Sequence, residues 1–208
     1  MKIRAREFFY PANLLSLSRL IVVIPLWHLI RINTPEGNVW LFWIAVFGIL
    51  SDILDGYLSR KFNQVTDLGI VLDPIADKIG MAVLMLALLF FRDFPLSLAL
   101  LLIYRDVMIM AVGWFTLRHT DRPIMANVWG KVNTVILAYT IFLMMIGVTG
   151  TAYEIGLVLS YIIIPVSGFA YMRVGEKVLY RDGGSPLWYR LIIGGITLLA
   201  LLLIWKVA

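Results

Sequence analysis

Seven times along this 208-residue chain an apolar run of about twenty residues gives way to a few polar ones, and nothing else in the sequence restricts the fold so strongly. A helical run of that length crosses the hydrocarbon core of a bilayer with every backbone N–H and C=O satisfied within the segment. The runs lie at roughly 14–32, 39–59, 70–91, 95–117, 132–150, 155–175 and 187–206. Between them stand NTPEGN (33–38), RDFP (92–95), RHTDRP (118–123) and YRDGGSP (180–186), each carrying the punctuation of a turn. Connections this short make consecutive helices antiparallel neighbours. The expected fold is all-α, a polytopic membrane helix bundle. Only 15% of residues are charged and 61% are hydrophobic, whereas a soluble domain carries roughly a quarter charged residues.

The charges that remain are unevenly placed. Lys2, Arg4, Arg6, Arg60, Lys61, Arg118, Arg122, Lys131, Arg173, Lys177, Arg181 and Arg190 fall on one side of the predicted spans, and only Arg31, Arg92 and Lys206 on the other. The excess predicts that the first side faces the cytoplasm, in a cell's inner or plasma membrane. A net charge of +5 without a basic cluster beside exposed aromatics points to anionic lipid heads rather than nucleic acid. The opening MKIRAREFFY suits an interfacial amphipathic segment and lacks a cleavage site for a signal peptide. With no cysteine in the chain, thiolate metal sites and Cys nucleophiles are excluded. The glycine pair Gly194-Gly195 predicts close helix contacts in the last run.

Against this background the stretch SDILDGYLSRKFNQVTDLGIVLDPIADK, residues 51–78, is anomalous, because it holds five of the thirteen acidic residues. A charge at membrane depth costs several kcal/mol even on lenient scales, roughly 2.5–3.5 at the helix centre. Asp52 and Asp55 are three apart near the end of the second run, and Asp73 and Asp77 four apart near the start of the third. Each pair therefore shares one helix face, and the connection sets the pairs opposite each other. Facing carboxylates need cations among them. Divalent ions with oxygen ligands, Mg²⁺ or Mn²⁺, are the natural answer, and two ions about 4 Å apart clamp phosphoryl chemistry. Gly56 and Gly69 leave room for a close approach to the backbone. Arg60 at the rim suits a bidentate grip on phosphate, and Thr66 adds a hydroxyl.

These residues match a known pattern. Asp52, Asp55, Gly56, Ser59, Arg60, Gly69, Asp73 and Asp77 reproduce D-x2-D-G-x2-[A/S]-R-x8-G-x3-D-x3-D with every interval intact, the signature of the CDP-alcohol phosphatidyltransferase family. The chain resembles that family over about residues 10–180. The resemblance implies two divalent ions, one held by Asp52, Asp55 and Asp73 and the other by Asp52, Asp73 and Asp77. It also implies Asp77 as general base, with Gly56, Arg60 and Thr66 on the CDP moiety. PANLLSLSR is similar to the family's P-N-x-L-[T/S]-x-x-R element and offers Asn13, Ser16 and Arg19 to the nucleotide. The implied reaction moves a phosphatidyl group from CDP-diacylglycerol to an alcohol and releases CMP, and the implied assembly is a homodimer.

Arg105 in LLIYRDVMIMA and Lys131 in NVWGKVNT resemble the acceptor-phosphate ligands of the phosphatidylglycerophosphate synthase branch, whose acceptor is glycerol 3-phosphate. The RDVM and KVNT strings also look close to the cardiolipin synthase branch, whose acceptor is phosphatidylglycerol. The family core has six spans, so residues 1–180 read as the transferase domain and residues 181–208 as an additional, seventh span. A reading from another class treats the aspartates as the path of a divalent-cation transporter. The near absence of acidic residues from the outer halves of the runs argues against it.

Overall fold

Local chemistry sets where each helix begins and ends. Pro11 opens α1 (Pro11–Ile32) in the first turn, where a missing N–H is no loss, and Asn33 closes it in the left-handed region at φ 50°. Pro35 then opens α2 (Pro35–Lys61), with Thr34 Oγ1 accepting the Gly37 amide at 3.1 Å. The expected turn NTPEGN thus shrinks to Asn33 and Thr34. Helix α3 (Asp67–Phe91) ends before Asp93, whose φ is 54°, and α4 (Leu96–Thr120) follows Pro95. Asn127 Oδ1 accepts the Gly130 amide at 2.8 Å and caps α5 (Val128–Met145). Two glycines of positive φ, Gly147 and Gly150, turn the chain into α6 (Thr151–Leu179), and α7 (Leu187–Val207) is last.

This computed structural model describes residues 10–61, 67–120, 127–180, 183 and 186–207; for Ala12, Ser59, Arg60, Asp67, Ile70, Val71, Pro74 and Val207 it describes the backbone alone. The N-terminal interfacial segment at 1–9 and Thr66 lie outside the described residues. The fold is an all-α polytopic bundle, and six of its helices are long and apolar enough to cross a membrane among the described residues: α1, α2, α4, α5, α6 and α7. Helix α3 occupies the third predicted run and carries the second aspartate pair. Helix ends depart from the apolar runs where polar residues continue the hydrogen-bond ladder. Thus α5 starts at Val128 rather than 132, and α6 runs to Leu179 rather than 175.

Two units are separable. The first comprises residues 1–93 and 144–148, in which α1 packs along both α2 and α3. Its core includes Ile30, Leu41, Ala87 and Leu88, all fully buried, and Trp27 meets Phe91 edge-on at 5.3 Å. At one end Arg92 Nη2 donates to Asn38 Oδ1 at 2.7 Å, tying the end of α3 to the start of α2. The second unit comprises residues 94–143 and 149–208, where α4 packs on α6 and α7. Leu98 and Ile164 are fully buried in it, and Thr140 and Ser160 share a buried hydrogen bond at 3.1 Å between α5 and α6.

Outward faces are apolar, as lipid requires: Trp205 is 82% exposed and Ile24 74%. Hydroxyls within the helices bond back to carbonyls one turn earlier, as Thr116 does to Val112 and Thr197 to Ile193, which satisfies these donors without water. The close contacts expected at Gly194-Gly195 do not form, because a Cβ added at either would meet no atom within 4 Å. Polar links at Tyr104, Tyr189 and Arg190 hold α7 instead.

Candidate active site

Residues 13, 16 and 19 recur at three-residue intervals, which places them on one face of α1. That face is turned inward: Asn13 is 2% exposed and Ser16 is fully buried. It meets the aspartates from both neighbouring helices. Arg19 Nη1 lies 3.1 Å from Asp52 Oδ1, and Arg19 Nη2 lies 2.8 Å from Asp55 Oδ2 and 3.7 Å from Asp77 Oδ1. Ser16 Oγ donates to Asp73 Oδ1. The two aspartate pairs, separated in sequence, are thus brought to a single face of α1.

Burial divides the four carboxylates. Asp55 is enclosed, at 9% side-chain exposure, whereas Asp52 and Asp77 are more than half exposed. The cluster has a closed floor and an open side. Four carboxylates against one guanidinium leave a surplus of negative charge that a further cation would offset. Among the described residues, Asp55 Oδ2 has no aligned hydrogen bond despite the short approach of Arg19 Nη2, and Arg19 Nε is buried without a partner. An ion contact without hydrogen-bond alignment is a weak use of a buried oxygen.

The donor set suits a hard divalent cation, since all its ligand atoms are carboxylate oxygens. Among the described residues, no three acidic or histidine side chains stand close enough together to hold a metal as they are placed. The reason is visible in the geometry. The Arg19 guanidinium fills the space between Asp52, Asp55 and Asp77, and Asp73 is turned toward Ser16. The residues fit such ions in kind and convergence, and an ion placed among these carboxylates would require the guanidinium to withdraw.

Gly56 follows Asp55 directly on α2, and Gly69, buried, lies one turn before Asp73 on α3. Ser59 and Arg60 continue α2 beyond the aspartates, with their side chains outside the described residues. Arg105 and Lys131 belong to the second unit. Arg105 Nη2 donates to Ser167 Oγ at 2.8 Å, Nη1 meets Asp106 at 2.6 Å, and the guanidinium lies 5.5 Å from the centre of the Tyr171 ring. Its Nε is buried without a partner. Lys131 is exposed at the start of α5, next to Gly130, whose surface is covered by Tyr171.

Sequence reasoning missed Ser167 and Tyr171, which hold the Arg105 head, and the buried Asn133. Ser167 and Tyr171 are four apart on α6, a spacing that marks a shared face but does not say which helix it meets. Ion pairing of the aspartates with the cations inside the apolar runs, Arg19, Lys78 and Arg105, was legible as the plain alternative to a metal. Arg19 makes that pairing with three of the aspartates.

The family model described as CDP-alcohol phosphatidyltransferase matches residues 9–170. A relative from Aquifex aeolicus named CDP-diacylglycerol--glycerol-3-phosphate 3-phosphatidyltransferase is 30% identical over 182 residues, 82% of this chain and 98% of its own. A relative from Streptomyces coelicolor named cardiolipin synthase (CMP-forming) is 33% identical over 137 residues, 64% of each chain. The rat protein of the latter name is 31% identical over 76% of this chain and 51% of its own length.

Proposed function

Because the chain belongs to the CDP-alcohol phosphatidyltransferase family, we propose that it transfers a phosphatidyl group from CDP-diacylglycerol to an alcohol acceptor and releases CMP. It is an integral membrane enzyme of phospholipid synthesis. The observation that carries the reading is the convergence of Asp52, Asp55 and Asp77 on Arg19, with Asp73 one contact away at Ser16.

In this reading Asp52, Asp55, Asp73 and Asp77 hold two Mg²⁺ or Mn²⁺ ions, which supply positive charge to the pyrophosphate and to the leaving phosphate. The chain's own groups do the rest. Arg19, released from the carboxylates, turns its donors to the nucleotide phosphates, and Asn13, Ser16, Gly56, Ser59, Arg60, Thr66 and Gly69 shape the remainder of the CDP-lipid site. Asp77 accepts the proton of the acceptor hydroxyl. The hydroxyl oxygen then bonds to the phosphatidyl phosphorus, and the bond from that phosphorus to the bridging oxygen breaks, so that CMP leaves with the electron pair. Positioning and charge stabilisation carry most of the rate in chemistry of this kind.

Glycerol 3-phosphate is the proposed acceptor, held through its phosphate by Arg105 and Lys131. Relatives bearing the cardiolipin synthase name, at similar identity, support phosphatidylglycerol as the second reading. Family membership sets the transporter reading aside. We also assign residues 1–180 to the transferase domain and residues 181–208 to an added span, with a cytoplasmic active site and a homodimeric assembly. One experiment tests the chemistry and the acceptor together. Purified protein with CDP-diacylglycerol and Mn²⁺ receives glycerol 3-phosphate, phosphatidylglycerol or inositol phosphate in separate reactions. CMP release only with the first supports the reading, release only with the second moves the enzyme to the other branch, and no release with any overturns it.

A further inference from the structure

Within the second unit, α4, α6 and α7 line a half-open cavity of about 620 Å³ that Arg105 borders and none of the aspartates lines. Helices in close contact leave few spaces larger than a water, so α7 stands off its neighbours along this cleft. Its walls are mainly apolar, including Leu101, Ile164, Phe169, Ile193 and Leu201, so water has almost no partners there. In a bilayer such a space fills with hydrocarbon.

Its shape and charge narrow the occupant. Along α6 the lining runs from Ile164 to Glu176, about 18 Å at the helical rise. Half of a bilayer's hydrocarbon core is ~15 Å thick, so the cavity matches the reach of a single acyl chain from one leaflet. One end is polar. Arg173, Glu176 and Arg190 line it, with Arg190 Nη2 2.6 Å from Glu176 Oε1 and the Arg173 guanidinium over the Phe169 ring. Two arginines against one glutamate leave this mouth positive. Helix α7 is pinned at separate levels, by Tyr104 Oη donating to Thr197 Oγ1 at 2.7 Å and by Tyr189 Oη donating to the Met172 carbonyl at 2.9 Å. These links hold α7 in place without filling the space beside Gly168 and Gly194, both of which line the cavity.

We propose that the α4–α6–α7 cavity binds one acyl chain of an anionic phospholipid, with the chain along α7 and the headgroup phosphate at the Arg173 mouth. The role of α7, whose residues lie beyond the family match, is then to form the third wall of a lipid site. The claim does not depend on the transferase reading, because binding is measured without donor or turnover.

The test uses the full chain in detergent with 1-palmitoyl-2-oleoyl phosphatidylglycerol or the matching phosphatidylethanolamine. Native mass spectrometry reads the retained lipid, and a phosphatidylglycerol carrying a diazirine at the acyl end reports its location. Retained phosphatidylglycerol with crosslinks concentrated at residues 164–176 and 187–201 is the expected result. Gly194→Phe should abolish both, since the added ring enters the cavity from a position where a Cβ meets no atom within 4 Å. Leu198→Trp narrows the same space and gives a second reading if Gly194→Phe does not fold. Arg173→Gln should weaken phosphatidylglycerol retention roughly fivefold, the scale of one cation's attraction to anionic lipid, and phosphatidylethanolamine less, because its ammonium offsets the phosphate. Crosslinks spread evenly over all exposed helices, or retention unaltered in folded Gly194→Phe and Leu198→Trp, would overturn the site. Equal retention of the two lipids with no effect of Arg173→Gln would overturn the headgroup assignment.

Discussion

Arg19 Nη2 stands 2.8 Å from Asp55 Oδ2, joining α1 to α2 through two side chains that are each about one-tenth exposed. The same guanidinium reaches Asp52 and Asp77, so a single cation is shared by three of the site's four acids. Removing it leaves Asp55 enclosed without a counter-charge. Arg19→Gln should therefore lower stability in chelator by about 3 kcal/mol, the lower end of the range for a broken buried pair because Asp52 and Asp77 stay exposed. Mn²⁺ should raise the melting temperature of the variant more than that of the wild type, since the ion no longer competes with the guanidinium. Thermal unfolding in detergent with EDTA or Mn²⁺ checks this, and an equal metal-induced rise in both proteins would refute the competition.

Asp73 meets α1 through Ser16 rather than through the arginine, so its loss removes a proposed ligand oxygen without stranding a buried cation. Asp73→Asn should stay folded in the membrane while CMP release falls by roughly two orders of magnitude or more, beyond the 10–100-fold typical of residues that merely orient metal ligands. EDTA should silence the wild type in the same assay, and added Mg²⁺ or Mn²⁺ should return it. Activity retained in Asp73→Asn would remove the metal assignment.

Tyr171 lies against two features at once. Its hydroxyl would be 2.8 Å from a Cβ at Gly130, and its ring stacks with the Arg105 guanidinium. Gly130→Ala must push the ring aside, a local overpacking of about 1–3 kcal/mol, and with it the support of Arg105. The expected outcome is a raised KM for the acceptor with KM for CDP-diacylglycerol unchanged. Steady-state kinetics with each substrate varied in turn makes the distinction.

Gly147 has φ +75°, and a Cβ there would collide with Asn38 Nδ2 and lie 3.0 Å from Arg92 Nη1. Strain and collision act together at a point where Arg92 bonds Asn38. Gly147→Ala should destabilise the protein by about 2–4 kcal/mol, whereas Gly150→Ala, which meets strain but no neighbour, should cost less. A comparison of melting temperatures checks the order.

Much of this protein was legible in its sequence because lipid enforces simple rules. Apolar length set the helices, and helical periodicity put Asp52 with Asp55 and Asp73 with Asp77 on shared faces. Helix starts lay outside the apolar runs, because Pro35, Thr34 and Asn127 open helices through local bonding among polar residues. Helix ends were less legible. The apolar signal stops at the membrane edge, whereas α6 continues to Leu179 through residues that still complete the backbone ladder.

Three-dimensional packing decided the rest. The intervals of the aspartates and of Asn13, Ser16 and Arg19 each define a face, but no interval says that the α1 face meets the other two or that its arginine lies among the acids. Nor does the spacing of Ser167 and Tyr171 name Arg105 as their partner, or the pair Gly194-Gly195 announce a space instead of a contact. Periodicity is a property of one helix, fixed by its own backbone. Which faces meet, and which cation settles among which carboxylates, depends on the rotation and depth at which separate helices pack, and only the folded chain sets those.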